Sequence, residues 1–247
     1  MHNPVRLHWL DPRNPEQPFP PPQQAMWEPN GLLAIGGDLS PERLLRAYAA
    51  GIFPWFNQDE PILWWSPDPR AVMKPTDIHV SHTLAKRLRQ GRFGVSADRA
   101  FAAVLEGCAG ARAHSHGTWL GPEMRHAYQT LHERGHAHSI EVWVHGELAG
   151  GLYGVALGQV FFGESMFSHA TDASKIALVS LARQLEAWQF SLIDCQLPTA
   201  HLESLGACTI PRQRFLAQLA TAVKTEAHSG RWTLNAGALG QQAHLPW

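Results

Sequence analysis

Residues 139–163 read SIEVWVHGELAGGLYGVALGQVFFG, and this stretch decides the fold class. Its residues follow the two-residue period of β-strands in three runs, 139–144, 147–157 and 159–163. His145-Gly146 and Leu157-Gly158 separate the runs and are typical of turns between antiparallel strands. We therefore predict an antiparallel meander of three strands, with the last strand ending at residue 163.

A long helix and a fourth strand follow the meander. Residues 173–189 carry Leu178, Leu181 and Leu185 at spacings of three and four, which predicts an amphipathic helix. Residues 191–196, SLIDCQ, then read as a strand. Antiparallel strands followed by a helix and a further strand indicate an α+β domain with a mixed, largely antiparallel sheet flanked by helices.

The chain before this domain predicts shorter elements. Leu32–Ile35 reads as a short strand between turn signals, and Ser40 followed by a proline begins a helix that Gly51 ends. We therefore predict a small N-terminal lobe, residues 1–62, and a larger domain, residues 63–247. Four further helices are predicted in the larger domain, at residues 81–90, 98–106, 122–134 and 211–223.

Composition limits the class of protein. Of 247 residues, 45% are hydrophobic and 17% are charged, which is typical of a folded globular chain. The net charge of -1 disfavours a general nucleic-acid binder, although a local basic patch can still bind one end of an RNA. The three cysteines are too few for a disulfide framework, which favours a reducing, cytoplasmic compartment. No apolar run reaches the length of a membrane span.

A metal site is not predicted. The chain has fifteen histidines, and the pairs His114 with His116 and His136 with His138 are the candidates for ligands. Neither pair has a spaced cysteine or carboxylate partner, which a protein metal site normally requires. We therefore expect chemistry without a metal.

Polar residues interrupt the apolar strand LIDCQL, residues 192–197. Strict alternation places Leu192, Asp194 and Gln196 on one face and the apolar residues on the other, which we interpret as core. The acid and the amide are either a hydrogen-bonded buried pair or part of a functional site. Glu164 follows the predicted end of the meander in apolar surroundings. If its strand neighbours LIDCQL, three polar groups converge in one apolar pocket, and this favours a site.

Aromatic and basic residues add two further candidates. Trp55 and Trp119 lie in GIFPWF and HGTWLGPEM, where they either pack or form a stacking surface for a substrate. The helix at 81–90 and the short segment after it, up to residue 92, concentrate basic side chains. These side chains form either a solvated face or a contact to RNA phosphates. These basic residues are Lys86, Arg87, Arg89 and Arg92.

Several stretches together resemble one family, the leucyl/phenylalanyl-tRNA–protein transferases. They are EPNGLLAIGGDLSPERLL, GIFPWF, ILWWSPDPRAV, HSIEVW, FFGESMFS, ASK, LIDCQ and HLESLGA, in that order. The resemblance runs from about residue 19 to about residue 219. It implies transfer of Leu or Phe from aminoacyl-tRNA to proteins with an N-terminal Arg or Lys, which creates a degradation signal. It also implies a small N-terminal lobe and a C-terminal domain similar to GNAT acetyltransferases, and we expect a monomer.

The resemblance assigns roles by motif position. It implies that Asp194, Gln196 and Glu164 are catalytic and that Trp55 and Trp119 lie near the aminoacyl-adenosine end. A flexible apolar pocket would select Leu and Phe, and we expect its walls to be Phe162, Met166, Phe167 and Ile193, with Ser168 as a further substrate-binding residue. Affinity beyond the aminoacyl end must come from acceptor-stem phosphates, and we expect the dense basic cluster of Lys86, Arg87, Arg89 and Arg92 to contact them. An aminoacyl ester is already activated, so we expect no ATP, metal or other cofactor.

The catalytic group itself stays open at this level. Gln196 is the base, a group that orients the amine, or a bystander while the ribose hydroxyl carries the proton. Replacing Asp194 or Gln196 by Ala is expected to reduce transfer strongly and to leave the fold intact.

Two rival functions follow from the same residues. An acetyltransferase using acetyl-CoA needs a glycine-rich loop to bind pyrophosphate, whereas the corresponding stretch here, GESMFSHATDAS, lacks those glycines. A non-enzymatic RNA-binding module needs a broader basic surface than the net charge indicates. Formation of product from Phe-tRNA and an Arg-initiated peptide separates both from the transferase.

Overall fold

The structure, a computed structural model, describes residues 7–113, 120–225, 228 and 230–235. Within these residues the strands, labelled β1 to β11 in chain order, are His8–Leu10, Leu32–Gly36, Phe53–Pro54, Leu63–Trp65, Arg70–Met73, Gly94–Ala97, Ala137–Val144, Glu147–Leu157, Val160–Ser168, Leu192–Gln196 and Cys208–Ile210. The helices α1 to α7 are Pro41–Ala49, His82–Gln90, Phe101–Ala113, Pro122–Glu133, Ala173–Ala187, Ala200–Glu203 and Arg212–Ala222.

The strands form two sheets. A four-stranded sheet with the order β1-β2-β4-β3 is built from residues 8–65, and a seven-stranded sheet with the order β11-β5-β10-β9-β8-β7-β6 from residues 70–210. In the larger sheet β9 and β10 are parallel and the other pairs are antiparallel. The predicted α+β class with a small N-terminal unit and a mixed, largely antiparallel sheet is confirmed. The division into domains at residue 62 stays a prediction.

The parallel pair depends on α5. Parallel neighbours need a crossover connection, and α5 carries the chain from the end of β9 to the start of β10. The helix is buried along much of its length, because it packs against β7, β8 and β9. The sequence prediction of this helix and of the strand after it is confirmed to within two residues at each end.

Helix starts follow the predicted capping. The Ser40 hydroxyl accepts the N–H of Arg43 at the start of α1, and the Ser81 hydroxyl accepts the N–H of Leu84 at the start of α2. Gly91 ends α2 in the left-handed conformation, with φ of 60°, which glycine adopts without a Cβ clash. The ends of α1 and α2 are therefore determined locally.

The larger sheet is covered on both faces, so a separate hydrophobic core lies on each face. One hydrophobic cluster joins the sheet to α1, α3, α4 and α7, through residues such as Leu44, Val104 and Phe215. The other joins the opposite face to α2 and α5 and includes Trp232 from the C-terminal segment. The four-stranded sheet packs into the first cluster through Leu33 and other side chains. That packing places α1 against the sheet face that carries the polar cluster described below.

Three sequence predictions about element boundaries are wrong. The strand predicted to end at Gly163 continues to Ser168, and the turn after β8 lies one residue later than expected, at residues 158–159. The helix predicted at 98–106 begins at Phe101. The cause is Asp98, which is buried in a left-handed conformation with φ of 55° and accepts the N–H of Ser139. Asp98 is therefore held by the neighbouring strand before the helix begins.

The described part of the chain also bears on membrane and metal binding. No helix there is long and apolar enough to cross a membrane. No group of three or more potential ligands of His, Cys, Asp or Glu gathers there. His114 and His116 lie outside the described residues.

Candidate active site

A cavity opens where β9 and β10 part. These strands pair along Val160–Phe162 and Leu192–Asp194, and beyond this stretch they line opposite sides of a cavity of about 350 Å³. Most of its wall is apolar, including Leu152, Phe161, Met166, Leu178, Leu181 and Ile193. The polar residues that line it include Glu164, Ser165 and Gln196. An apolar pocket with a few convergent polar groups is the usual form of a small-molecule site.

Irregularities in both strands direct these polar groups. On β9 the register shifts so that Gly154 pairs with Gly163 and Tyr153 with Ser165, which leaves Glu164 as the extra residue. On β10 the register shifts between Asp194 and Gln196. Such bulges redirect side chains and are frequent beside active sites.

The bulge on β10 interrupts the regular pairing of this strand with β5. Gln196 has φ of 62°, a left-handed conformation that costs free energy for a residue with a Cβ. As a result Gln196 lines the cavity together with Ile193 and Cys195, whereas Asp194 turns away toward β5. The shared face of Leu192, Asp194 and Gln196 stays a prediction, whereas Ile193, Cys195 and Leu197, which we interpreted as core, also line the cavity.

Glu164 is the centre of a buried hydrogen-bonded cluster. Its Oε1 accepts the hydroxyl of Tyr48 at 2.9 Å and the Nε2 of Gln196 at 2.8 Å. Its Oε2 lies 2.6 Å from the hydroxyl oxygen of Tyr128, and the two tyrosine oxygens are 2.8 Å apart. Helices α1 and α4 supply the tyrosines, β9 the carboxyl group and β10 the amide, so four elements meet here.

Burial dominates the electrostatics of this cluster. It raises the pKa of Glu164 to about 7, against the lowering effect of the hydrogen bonds from Tyr128 and Tyr48. Burial, followed by the negative charge of Glu164, raises the pKa of both tyrosines well above the ordinary value. Burial also raises the pKa of the Cys195 thiol to about 12, so this cavity cysteine is neutral and a poor nucleophile at neutral pH.

Asp194 forms a buried ion pair behind the cavity. Its Oδ1 and Oδ2 accept Nε and Nη2 of Arg70 at 2.8 and 2.7 Å, and both side chains are at most 1% exposed. The Arg70 guanidinium carbon lies 4.8 Å from the ring centroid of Phe53 and 4.6 Å from that of Phe215. Oδ1 also accepts the backbone N–H of Gln196 at 2.9 Å. Asp194 therefore fixes the backbone of Gln196 and does not itself line the cavity.

The remaining predicted substrate residues fall into three groups. Trp55, Met166 and Ile193 line the cavity. Trp119 lies outside the described residues.

Three predicted substrate residues do not line this cavity. Phe162 packs with its ring 5.0 Å from that of Tyr48, and Phe167 packs against Gly107 of α3. Both therefore lie on the sheet face opposite α5, because alternation along β9 separates them from the cavity wall. The Ser168 hydroxyl donates to the carbonyl of Ala170 in the turn that leads to α5.

Three of the four basic residues lie in the second half of helix α2, and Arg92 follows the helix. Lys86, Arg89 and Arg92 are exposed. Arg87 pairs with Asp172 at 3.1 Å and donates to the carbonyl of Thr171, so part of its role is to hold the start of α5.

The sequence analysis missed three residues of the candidate site: Tyr48, Tyr128 and Arg70. Tyr48 and Tyr128 lie in predicted helices whose sequence pattern gives them no separate role, and Arg70 directly follows Pro67-Asp68-Pro69, which is typical of a turn. A buried tyrosine normally finds a partner for its hydroxyl, and this was the available signal for Tyr48. An arginine directly before the apolar residues of β5 was the signal for Arg70, because a buried arginine needs a carboxylate.

Comparison with known proteins identifies the family. Residues 72–220 match the model described as leucyl/phenylalanyl-tRNA protein transferase, and residues 37–68 match the model of its N-terminal domain. The chain belongs to the leucyl/phenylalanyl-tRNA–protein transferase family. A member from Azotobacter vinelandii is 62% identical over 197 residues, which are 80% of this chain and 87% of that protein. A member from Stutzerimonas stutzeri is 57% identical over 214 residues, 87% of this chain and 94% of that protein. Both relatives are named leucyl/phenylalanyl-tRNA–protein transferase, and this chain is accordingly an aminoacyltransferase.

Solved structures show more distant likenesses. L-PGS from Bacillus licheniformis is 11% identical, with a TM-score of 0.38, over 65% of this chain and 52% of that one. A ribosomal-protein-alanine N-acetyltransferase from Brucella melitensis is 15% identical, with a TM-score of 0.33, over 57% of this chain and 99% of that one. At these scores the likeness carries no weight for function.

Proposed function

We propose that this member of the family transfers Leu or Phe from aminoacyl-tRNA to the α-amino group of proteins with an N-terminal Arg or Lys. The observation that carries the proposal is the orientation of Gln196 at the cavity. Its Nε2 donates a hydrogen bond to Glu164, and its backbone N–H donates one to Asp194. The carbonyl Oε1 is therefore the part of the side chain left to accept a hydrogen bond from an incoming amine.

The reaction makes modest demands on such a site. The amine nitrogen forms a bond to the ester carbonyl carbon, the bond from that carbon to the ribose oxygen breaks, and the ribose oxygen takes up a proton. Aligning the amine with the ester supplies much of the acceleration, and polar groups that meet the developing charge supply more. Gln196 aligns the amine, and Asp194 and Glu164 position Gln196 from its backbone and its side chain.

The apolar cavity suits the transferred side chain. Met166, Leu178, Leu181 and Ile193 line it, and the flexible Met166 side chain can adjust to either a Leu or a Phe side chain. The Ser165 hydroxyl also lines the cavity, is buried, and has no hydrogen-bond partner among the described residues. A polar atom of the bound aminoacyl group would satisfy it.

The tRNA body requires a second surface. Trp55 is 42% exposed at the cavity and offers a stacking face for the terminal base. The exposed residues Lys86, Arg89 and Arg92 supply positive charge for acceptor-stem phosphates, which a protein of net charge -1 does not provide everywhere. We assign the chain to the cytoplasm, where charged tRNA and new protein N-termini are both present. We also propose that it acts as a monomer.

Transfer of labelled Phe from Phe-tRNA to a peptide that begins with Arg tests the proposal. We expect Gln196→Ala to lower kcat/KM by about 10²–10³, the usual effect of removing one positioned polar group from an active site. Leu197→Ala, at the neighbouring position on the cavity, is the control for general disturbance of the strand end and should retain far more activity. Near-normal turnover by Gln196→Ala would remove this residue from the chemistry. Acetylation by acetyl-CoA, or RNA binding without transfer, would instead support one of the rival functions.

A further inference from the structure

The contacts around Glu164 need more protons than an ionised carboxylate leaves available. Three pairs of oxygens lie within hydrogen-bond distance: Tyr48 with Tyr128 at 2.8 Å, Tyr48 with Oε1 at 2.9 Å, and Tyr128 with Oε2 at 2.6 Å. Each pair is a hydrogen bond if one proton lies between its oxygens. Two phenols supply two protons and a carboxylate supplies none, so one of the three contacts would bring lone pairs together. A protonated carboxyl group supplies the missing proton.

The three protons fit in a closed ring. The Oε2 hydroxyl of Glu164 donates to Tyr128, the Tyr128 hydroxyl donates to Tyr48, and the Tyr48 hydroxyl donates to Oε1. Oε1 is then a carbonyl oxygen whose two lone pairs accept Tyr48 and the Nε2 of Gln196, so every polar atom of the cluster is satisfied. Buried polar networks are stable when every member has its partner.

We propose that Glu164 carries a proton in the resting protein, shared in a closed ring with Tyr48 and Tyr128, and that this neutral ring holds Gln196 with its carbonyl oxygen toward the cavity. The second half of the proposal rests on the proposed transfer reaction, and the first half does not. Tyr48 and Tyr128 are positioning residues in this arrangement, because they act through Glu164 on Gln196.

The surroundings favour the neutral form. The titratable and charged groups that face Glu164 are Tyr48 of α1, Tyr128 of α4, Tyr153 of β8 (against Tyr128), and Asp194 of β10 with its partner Arg70 of β5. Asp194 is negative and raises the pKa of Glu164, and the positive charge of Arg70 is already paired with Asp194. Burial is the larger effect, and together these raise the pKa of Glu164 to about 7.

The neutral ring has a consequence for the amide. A side-chain amide presents either its NH₂ group or its oxygen to a partner. With acceptor capacity at Oε1 and no free donor in the ring, the NH₂ group of Gln196 must face Glu164. An amine entering the cavity therefore meets an oxygen, which orients the amine lone pair toward the ester. A negative carboxylate beside the cavity would instead favour the protonated ammonium form, which cannot attack.

Infrared spectroscopy of the free protein tests the proton directly. At about pH 6, below the raised pKa, we expect a carbonyl band of a protonated buried carboxyl group that Glu164→Gln abolishes. Glu141→Gln is the matched control, because Glu141 is a second buried carboxyl group, and the band that Glu164→Gln abolishes should persist in this variant. Tyr128→Phe removes the acceptor of the Glu164 proton, and the band should move to higher frequency. A Glu164→Gln spectrum identical to that of the unaltered protein, or an unmoved band in Tyr128→Phe, would overturn the ring.

Transfer kinetics test the positioning role. Glutamine reproduces the neutral ring, since its NH₂ group donates to Tyr128 and its oxygen accepts from Tyr48 and Gln196. We expect Glu164→Ala to lower kcat by about 100-fold and Glu164→Gln to recover activity to within about tenfold of the unaltered protein. Equal losses in both variants would show that the carboxylate itself acts and would overturn the proposal. Absence of transfer by the unaltered protein refutes the proposed function and leaves the infrared result valid.

Discussion

At the scale of single residues, the candidate site depends on where charge is neutralised. Asp194 is fully buried, and its two oxygens are both occupied by Arg70. Glu164 is almost as buried and has no cation in contact with it among its hydrogen-bond partners. Two carboxyl groups on neighbouring strands thus differ in charge because one has an arginine and the other has two phenols. Gln196 hydrogen-bonds to both, and this makes it the residue that links them.

The ion pair changes the expected result of one substitution. From sequence, Asp194→Ala was expected to affect transfer and leave the fold intact, but it removes the partner of a buried arginine. Removing one member of a buried pair typically costs about 3–5 kcal/mol, because the remaining charge is left without compensation. We expect a loss of this size in the free energy of unfolding, measured by urea denaturation.

A paired substitution separates stability from catalysis. Arg70→Met together with Asp194→Leu removes both charges and should recover much of the lost stability, because apolar side chains often replace buried pairs without penalty. The same double variant should remain poor in transfer, since the backbone of Gln196 has lost its anchor. Unchanged stability in Asp194→Ala alone would contradict the structural role of the pair.

At the scale of elements, α2 has two functions on different sides. Arg87 faces the start of α5 and pairs with Asp172, whereas Lys86 and Arg89 are exposed on the other side. A test of tRNA binding should therefore leave Arg87 in place, because its loss disturbs α5 as well as the charge. The structure thus gives Arg87 a structural contact that Lys86 and Arg89 do not share.

The exposed side of α2 gives a prediction about salt. Lys86→Ala with Arg89→Ala should raise KM for aminoacyl-tRNA and reduce the slope of log KM against log salt by about 1–2, since each phosphate contact contributes nearly one unit. Arg214→Ala with Lys224→Ala removes the same charge from exposed positions elsewhere and is the matched control. With a minimal aminoacyl-adenosine donor, both double variants should behave like the unaltered protein. Equal effects of the two pairs on tRNA would point to net charge and not to a binding surface.

Elements were easier to predict than the way they are joined into a site. Period-two patterning and capping residues gave β7, β8, α1, α2 and α5, because these signals are local. Bulges are set by pairing with another strand, so nothing near Glu164 or Gln196 in sequence revealed them. The tyrosine contacts join residues 48, 128 and 164, which are distant in sequence. The convergence of Glu164 with Gln196 followed from topology, whereas the role of Arg70 required the fold.

At the scale of the whole molecule, the site lies where the two sheets and several helices meet. Helix α1 follows a strand of the four-stranded sheet and delivers Tyr48 to Glu164, while β3 of that sheet delivers Phe53 to Arg70. The smaller sheet is therefore connected to both polar centres of the larger one. Loss of its packing should disturb the chemistry even though its own strands hold no catalytic group.

Global stability should report the proton on Glu164. Its pKa is raised by folding from 4.5 to about 7, so the folded protein binds this proton more tightly than the unfolded chain. The contribution is fully present below about pH 4.5 and is lost as the pH rises through about 7. The free energy of unfolding of the unaltered protein minus that of Glu164→Gln should fall by on the order of 3 kcal/mol across this range. A difference that is flat with pH would mean that Glu164 does not titrate there.

The contacts of the Arg70 guanidinium with the rings of Phe53 and Phe215 restrict which substitutions this chain can accept during evolution. Lysine at position 70 has no planar guanidinium to stack or to bind both oxygens of Asp194, so that exchange is not neutral here. We therefore expect substitutions at positions 53, 70, 194 and 215 to be tolerated only in compatible combinations. Chimeras that exchange the first 62 residues between relatives would separate position 53 from the other three. Such hybrids should stay active when the incoming residue at 53 is aromatic and fail when it is not.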